Sequence, residues 1–195
     1  MIPRHLLIAF CVLIIAALVL GFYTWRIRGR MVASENAEQT QAPVAPPASG
    51  PTERVTLYVA DDETGKLHAE SVNIPLPSGR QQHAEELLRA LITLYLDKSS
   101  PHPLSPGSEL RSVYLVDPGL AVIDMNSEFA DGHRSGVLVE ELTVVSLIET
   151  LASNSPGISR IKFLVDGKDR ETLAGHADLA DTYDVAAVGQ ILNYQ

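Results

Sequence analysis

The apolar positions of this chain are densest between residues 110 and 167. Within that stretch, the segments LRSVYLV and LAVIDM flank the turn residues Asp117, Pro118 and Gly119, an order typical of a β-hairpin. A helix with an apolar stripe is predicted at residues 137–153, and a strand at residues 161–165. Because a hairpin, a helix and a returning strand can bury one sheet face under one helix, this stretch predicts the core of a single domain.

Two strands and another helix are predicted before the hairpin. Apolar and polar residues alternate over residues 55–60, which predicts a half-buried strand, and a weaker strand is predicted at residues 69–74. Apolar residues recur at helical spacing over residues 82–96, which predicts a helix. A loop with three prolines, residues 98–107, then leads into the hairpin.

One face of the helix predicted at residues 137–153 carries small hydroxyls where charged side chains normally meet water. One interpretation is that these hydroxyls bond back to carbonyl groups of the preceding turn. The other is that they form a close-packing face for another chain. Apolar residues of the C-terminal tail could cover this face within the same chain or dock on a neighbour. The candidate interaction residues are therefore Thr143, Ser146, Thr150, Val188, Ile191 and Leu192.

An apolar segment near the start of the chain predicts a single membrane-spanning helix. Residues 6–23 (LLIAFCVLIIAALVLGFY) carry no charge and would span about 27 Å as a helix, against a hydrocarbon core of about 30 Å. Arg26, Arg28 and Arg30 end the segment. A cleaved signal peptide is the alternative, but Tyr23, Thr24 and bulkier residues occupy the position where cleavage requires small side chains.

Composition divides the chain into four parts. Residues 1–30 form the predicted membrane anchor with its basic flank. Residues 31–53, rich in Ala, Pro, Gln and Ser, predict a disordered tether. Residues 54–184 are expected to fold, and residues 185–195 form a C-terminal tail. The roughly 140 residues after the tether are a common size for one domain.

The charge balance excludes one class of partner. The chain has 15 Lys and Arg against 24 Asp and Glu, and four of the basic residues lie in the first thirty positions, where no acidic residue occurs. The remainder therefore carries 11 basic against 24 acidic side chains, a net charge of −13. Such a surface repels phosphate backbones, so we expect no nucleic acid partner. The single cysteine, Cys11, lies in the apolar segment, so no disulfide is expected in the folded part.

No spacing of residues predicts a metal or cofactor site. Asp124, Asn126 and Glu128 resemble the start of a calcium loop, but Phe129 replaces the glycine required at the sixth position and Ser135 the acid required at the twelfth. The six histidines show no ligand spacing. The chain also has no glycine-rich loop of the phosphate-binding type, so no cofactor is expected.

No catalytic residues are predicted either. Asp131, His133 and Ser135 lie close together in a polar loop, whereas catalytic triads are assembled from distant positions of a sequence. We interpret this segment as a connection, and the expected protein is not an enzyme.

The order of elements resembles the GerMN domain, which occurs in spore-germination and sporulation proteins and in many membrane-anchored bacterial envelope proteins. The resemblance covers roughly residues 55–183 and rests on LYVAD, VID-x-x-x-EF, ETL, FLVDGK and LAGH-x-DL. The Gly-Pro usual after the first helix is replaced by DKSSP at residues 97–101. The resemblance implies an α+β domain with two helices packed on one face of a four- to five-stranded, split βαβ-like sheet.

The resemblance further implies a non-enzymatic, membrane-anchored envelope domain that mediates protein–protein interaction or assembly, with an envelope protein or a second copy as partner. It favours a folded region outside the cytoplasm, although the arginines after the anchor favour a cytoplasmic C-terminus. A small-ligand or glycan-binding sensor is the alternative, with Tyr58, Tyr95 and Tyr114 as its aromatic residues. A cell-wall hydrolase would need paired carboxylates or a metal site that the sequence does not show.

Overall fold

The computed structural model describes residues 50–116 and 118–193, with side chains as far as Gly189. These residues belong to one compact unit, Ser49–Gln195. The membrane span predicted at residues 6–23 and most of the predicted tether lie outside the described residues. No helix in the described ranges combines the length and the apolar character needed to cross a membrane.

Every strand and helix predicted from periodicity is present, with ends shifted by a few residues. The tail predicted at residues 185–195 contributes a helix, and a short helix and a short strand were not predicted. The elements of the described residues, in chain order, are β1 (Thr52–Asp61), β2 (Lys66–Pro75), α1 (Arg80–Leu96), β3 (Leu110–Val116), β4 (Leu120–Met125), α2 (Ser127–Asp131), α3 (Val137–Asn154), β5 (Arg160–Val165), β6 (Thr182–Asp184) and α4 (Val185–Asn193).

The main sheet has the strand order β3-β4-β5-β6. β3 and β4 pair as the predicted antiparallel hairpin, β4 and β5 are parallel, and β6 is antiparallel to β5. Parallel neighbours require a crossover connection, which α3 supplies. One face of the sheet is buried and contributes Val113, Ile123 and Phe163 to the hydrophobic core shared with α1 and α3.

The first two strands form a separate two-stranded sheet. β1 and β2 pair along their whole length, from Thr52 opposite Pro75 to Asp61 opposite Lys66. The α+β class is confirmed, but the split βαβ-like sheet that includes the strand before α1 is wrong. Among the described residues β2 pairs with β1 alone, and helix side chains close the second edge of β1, so the hairpin forms its own sheet against the helices.

Helix α3 is buried on two faces because it lies against both sheets. Its apolar stripe, with Val144, Leu147 and Leu151, belongs to the core. Its second face contacts β1. A helix enclosed in this way can carry small polar residues on one side that are buried and do not meet water.

Candidate functional site on helix α3

The hydroxyl face of α3, with one residue of α1, seals the edge of β1. Three alternate N–H groups of β1 point away from β2 and donate to helix side chains. Thr56 donates to Oδ1 of Asn154 (3.2 Å), Tyr58 to Oγ1 of Thr150 (2.9 Å), and Ala60 to the hydroxyl of Tyr95 (2.8 Å). A strand edge normally pairs with another strand or faces water. Here helix side chains take the place of the missing strand.

Asn154 imitates the peptide group of a neighbouring strand. Its Oδ1 accepts from the Thr56 N–H, and its Nδ2 donates to the Thr56 carbonyl at 2.7 Å. The same Nδ2 also donates to the carbonyl of Thr150, one turn earlier in α3. Both backbone groups of Thr56 are therefore paired, which is required of backbone groups removed from water.

These contacts correct the prediction of an open hydroxyl face. Thr143, Ser146 and Thr150 each have no exposed surface. Ser146 donates to the carbonyl of Thr143 at 2.9 Å, and Thr143 donates to the carbonyl of Val139 at 3.0 Å. Back-bonding of these two hydroxyls was the first interpretation of the pattern. The backbone that approaches the small residues is β1 of the same chain, so this face is not available to a partner.

The predicted tail residues belong to α4. Val188 is 4% exposed and joins the core from α4. Ile191 and Leu192 fall within α4, but their side chains lie outside the described ones. The tail therefore does not cover the hydroxyl face, because β1 already occupies it.

A second polar cluster lies at the N-terminal end of α3. Nε2 of His102 lies 2.6 Å, and Nε2 of His133 2.8 Å, from the Thr143 hydroxyl oxygen. Nδ1 of His102 donates to Oδ1 of Asp62 at 2.6 Å, and Oδ2 of Asp62 accepts from Arg134. Nδ1 of His133 donates to the carbonyl of Arg134 at 2.8 Å. The cluster thus joins α3 to three loops: the β1–β2 turn, the proline-rich loop and the loop after α2.

Burial keeps both imidazoles of this cluster neutral near pH 7. Burial lowers the pKa of His102, although the hydrogen bond and charge of Asp62 act in the opposite direction. Burial also lowers the pKa of His133, against the hydrogen bond to the Arg134 carbonyl. Desolvation raises the pKa of Asp62, but its contacts with His102 and Arg134 outweigh this effect and lower it. Asp62 is therefore the charged member, paired with Arg134 at the surface.

Asp62, His102 and Thr143 are spaced like an acid–histidine–hydroxyl triad, with both contacts at 2.6 Å. A nucleophile must reach the atom that it attacks. Neither His102 nor Thr143 has exposed surface, and the Thr143 hydroxyl contacts both histidines and the Val139 carbonyl. The arrangement is therefore structural in this conformation and offers no path for a substrate.

A third cluster centres on Glu140, whose side chain has no exposed surface. Oε1 accepts from the N–H of Gly136 at 3.0 Å and from Nδ1 of His176 at 2.8 Å. Oε2 accepts from the N–H groups of Ala174 (3.0 Å), His176 (2.9 Å) and Ala177 (2.9 Å). Burial raises the pKa of Glu140, but these hydrogen bonds outweigh it and hold the pKa far below its ordinary value. The carboxylate therefore fastens the loop before β6 to α3.

The structure separates Asp131, His133 and Ser135, which lie close together in sequence from the end of α2 to the start of α3. Asp131 pairs with Arg170 at 2.7 Å, whereas His133 points inward to Thr143. The Ser135 hydroxyl lies 3.5 Å from Nδ1 of His176, the nitrogen that already faces Glu140. These residues therefore do not form a triad.

The acidic residues considered for calcium also have separate roles. Oδ1 of Asp124 accepts from the N–H of Gly167 at 2.8 Å. Asn126 caps α2 by accepting from the N–H of Phe129, and Glu128 accepts from the hydroxyl of Ser105. Within residues 50–116 and 118–193, no group of three or more His, Cys, Asp or Glu side chains is placed to hold a metal ion.

The three tyrosines proposed for a ligand site do not share a concave wall. Tyr95 is fully buried, and burial raises its pKa to about 12. Tyr114 is 46% exposed on the outer face of the main sheet. Tyr58 is half-buried on β1, which belongs to a different sheet from β3 and Tyr114. The aromatic-lined site that a glycan sensor needs is therefore not formed by these residues.

An open groove of about 460 Å³ lies between α3, β6 and α4. Its apolar wall includes Val144, Val145 and Val188, so the groove takes in one of the predicted interaction residues. The described residues that line the groove include carboxylates but no Lys or Arg. The lining residues are Glu141, Val144, Val145, His176, Ala177, Asp178, Thr182, Tyr183, Asp184, Ala187 and Val188.

Sequence reasoning missed Glu140, His102 and Asn154, although two of them carried a signal. Glu140 lies one turn before Val144 on the apolar stripe of α3, where a buried carboxylate must find donors. Asn154 continues the hydroxyl face at the same helical spacing, four residues after Thr150. His102 gave no such signal, since it lies in a loop between two prolines.

The protein-family model Germane, described as sporulation and spore germination, matches residues 56–171. The first GerMN domain of the sporulation protein GerM from Bacillus subtilis has a TM-score of 0.50 and 21% identity, over 68% of this chain and 98% of that chain. The tandem GerMN domains of the same protein have a TM-score of 0.52 and 20% identity, over 69% of this chain and 46% of that chain. A search of curated proteins finds no match. At these identities the solved structures show the fold alone.

Proposed function

Because this chain belongs to the Germane family of sporulation and spore germination domains, whose model covers residues 56–171, we propose that its folded region is a non-catalytic envelope domain that acts by binding another protein. The observation that carries the proposal is the state of its polar clusters. Thr143, His102 and Glu140 have no exposed side chain, and each is engaged in contacts inside the chain. Groups enclosed in this way hold loops together and cannot meet a substrate.

The groove between α3, β6 and α4 is the surface that fits a protein partner. Its apolar wall offers area to bury, which is the main favourable term in association. Glu141, Asp178 and Asp184 supply negative charge at its rim, and no described lining residue is Lys or Arg. We therefore assign it a cationic partner segment that combines apolar side chains with Lys or Arg, because opposite potentials steer and select partners.

Photo-crosslinking in cells tests this assignment. With a photo-reactive phenylalanine derivative at Glu141, on the groove rim, the full chain should give a discrete adduct with a different protein. The same residue at Lys98, which is exposed on the loop after α1, is the matched control and should give none. The additional change Asp178→Lys should reduce the Glu141 adduct several-fold by reversing charge at the rim.

Three outcomes would count against the assignment. Without a specific adduct from Glu141, the groove would not be a docking site. Equal adducts from both positions would indicate random collision. An adduct with the mass of two copies would replace the cationic partner by a second chain.

The proposal places the domain outside the cytoplasm, held at the membrane by residues 6–23. The uncharged length of that segment supports a span, and membership in a sporulation and germination family supports an envelope location. A reporter fused after Gln195 tests the orientation. We expect activity from a reporter that works only outside the cytoplasm, and activity solely from a cytoplasmic reporter would remove the envelope role.

A further inference from the structure

The outer edge of β2 is open along ten residues. β2 pairs with β1 and with no other strand of the described chain. The opposite edge of this small sheet, on β1, is closed by Asn154, Thr150 and Tyr95. The hairpin therefore has one sealed and one unsealed edge, and an unsealed edge is a template for another strand.

The register identifies the backbone groups that the open edge presents. In an antiparallel pair, successive residues point alternately toward and away from the neighbouring strand. The N–H groups of Thr56 and Tyr58 point toward the helices, so Val55 and Leu57 face β2 and bond to their partners there. In β2 the outward set is consequently the odd-numbered one, which consists of Leu67, Ala69, Ser71 and Asn73.

The outward groups have no partner in residues 50–116 and 118–193. Among the hydrogen bonds of these ranges, none uses the outward N–H or carbonyl groups of β2. Ala69, Ser71 and Asn73 are exposed, and Leu67 is half-buried. Natural edge strands are usually short, charged, bulged or covered. β2 is long and regular, and only three of its ten residues, Lys66, His68 and Glu70, have ionisable side chains.

We propose that β2 is a self-association edge, on which the β2 strand of a second copy of this chain adds in antiparallel orientation about a two-fold axis at Ala69. The two hairpins then form one continuous four-stranded sheet. Main-chain hydrogen bonds provide the pairing, as in other cases of strand addition. An interface of this kind is isologous, because each copy contributes the same strand.

Charge favours the axis at Ala69 over the neighbouring axes at Glu70 and Ser71. With the axis at Ala69, His68 of each copy lies opposite Glu70 of the other, so a hydrogen-bonding, oppositely charged pair forms twice when the imidazole is protonated. With the axis at Glu70, the two carboxylates lie opposite each other, which is destabilising. With the axis at Ser71, each Glu70 lies opposite Val72, which leaves the carboxylate without a partner. His68 is 53% exposed, and its ring has two long contacts to give up, one with Asp61 at 3.4 Å and one with the Thr64 hydroxyl at 3.5 Å.

Disulfide trapping tests both the edge and the register. The full chain with Cys11→Ser and Ala69→Cys, in isolated membranes with a mild oxidant, should give a reducible dimer. The two Ala69 positions would lie about 5.5 Å apart as a hydrogen-bonded pair, which is within disulfide range. Ser71→Cys is the matched control on the same edge. Its two copies would be separated by four residues, about 13 Å, and should crosslink at least ten-fold less.

A proline variant separates strand pairing from mere proximity. Because the N–H of Ser71 points outward, Ser71→Pro removes one donor from the open edge and none from the β1–β2 ladder. Combined with Ala69→Cys, it should reduce the dimer at least ten-fold while the melting temperature stays within a few degrees. Ser71→Ala should leave the dimer unchanged.

The proposal fails if Ala69→Cys gives no dimer, if Ser71→Cys crosslinks equally well, or if the dimer survives Ser71→Pro in a folded protein. A dimer that forms best through Ser71→Cys would overturn the register. Because neither the α3–α4 groove nor its partner takes part, these outcomes are independent of the photo-crosslinking result.

Discussion

Glu140→Gln should lower the free energy of unfolding by about 3–5 kcal/mol, the loss typical of breaking a buried charged network. The amide keeps the size of the side chain but replaces one acceptor oxygen by a donor. The new NH₂ group would face other donors, because the Glu140 oxygens accept from the N–H groups of Gly136, Ala174, His176 and Ala177. Chemical denaturation of the full chain in detergent, followed by near-ultraviolet circular dichroism, measures the loss.

The matched control is the next residue. Glu141 has the same side chain and is exposed on the same helix, so Glu141→Gln should change stability by no more than about 0.5 kcal/mol. Equal effects of the two substitutions would show that the Glu140 hydrogen bonds contribute little to folding. A large loss for Glu140→Gln alone would identify the loop before β6 as dependent on this carboxylate.

The Glu140 carboxylate also makes the stability of the fold depend on pH in the acidic range. Its pKa is lowered on folding, so its contribution is fully present above the unfolded value of about 4.3 and is lost as pH falls through the folded value. The wild-type chain should therefore lose stability progressively below about pH 4.3. Glu140→Gln has no group to titrate at this position, and its stability should vary less with pH over that interval. Parallel pH profiles would contradict the assignment.

Ser146→Arg should prevent folding. Ser146 has no exposed surface, and its hydroxyl donates to the Thr143 carbonyl. The small hydroxyl allows β1 to approach α3, and a guanidinium there would be both oversized and unpaired. We expect loss of the cooperative melt and of the near-ultraviolet signal.

Two further variants of α3 serve as controls for the loss of the hydroxyl and for the added cation. Ser146→Ala keeps the space and should cost about 1 kcal/mol through the lost hydrogen bond to the Thr143 carbonyl. Glu141→Arg introduces the same large cation at an exposed position and should fold. If Ser146→Arg melts within a few degrees of the wild type, the face of α3 toward β1 must be open to solvent, and the contacts with Thr56 and Tyr58 would lose their importance.

Periodicity predicted the elements well because burial repeats with the geometry of each element. Alternation over residues 55–60 and the helical spacing of Val144, Leu147 and Leu151 both reflect which side chains leave water. The β3–β4 hairpin followed from its turn residues. These signals are local, and each is determined by one stretch of chain.

The partition of strands into sheets was not predictable in the same way. Periodicity reports which face of a strand is buried, but not what meets its edge. β1 is closed by side chains from residues 95, 150 and 154, positions that only the folded chain brings together. The cluster around Thr143 likewise draws on residues 62, 102 and 133. The hydroxyl pattern was visible, but its explanation depended on long-range contacts.

The cluster around Thr143 has a proton inventory that does not balance when both histidines are neutral. Nδ1 of His102 and Nδ1 of His133 hold their protons toward Asp62 and the Arg134 carbonyl, so both Nε2 atoms are left as acceptors. Thr143 has one hydroxyl proton for these two nitrogens and the Val139 carbonyl. One added proton would complete the pairing, whereas burial opposes its charge. An added proton on either Nε2 would therefore change the hydrogen bonding of the other ring through the Thr143 hydroxyl that they share.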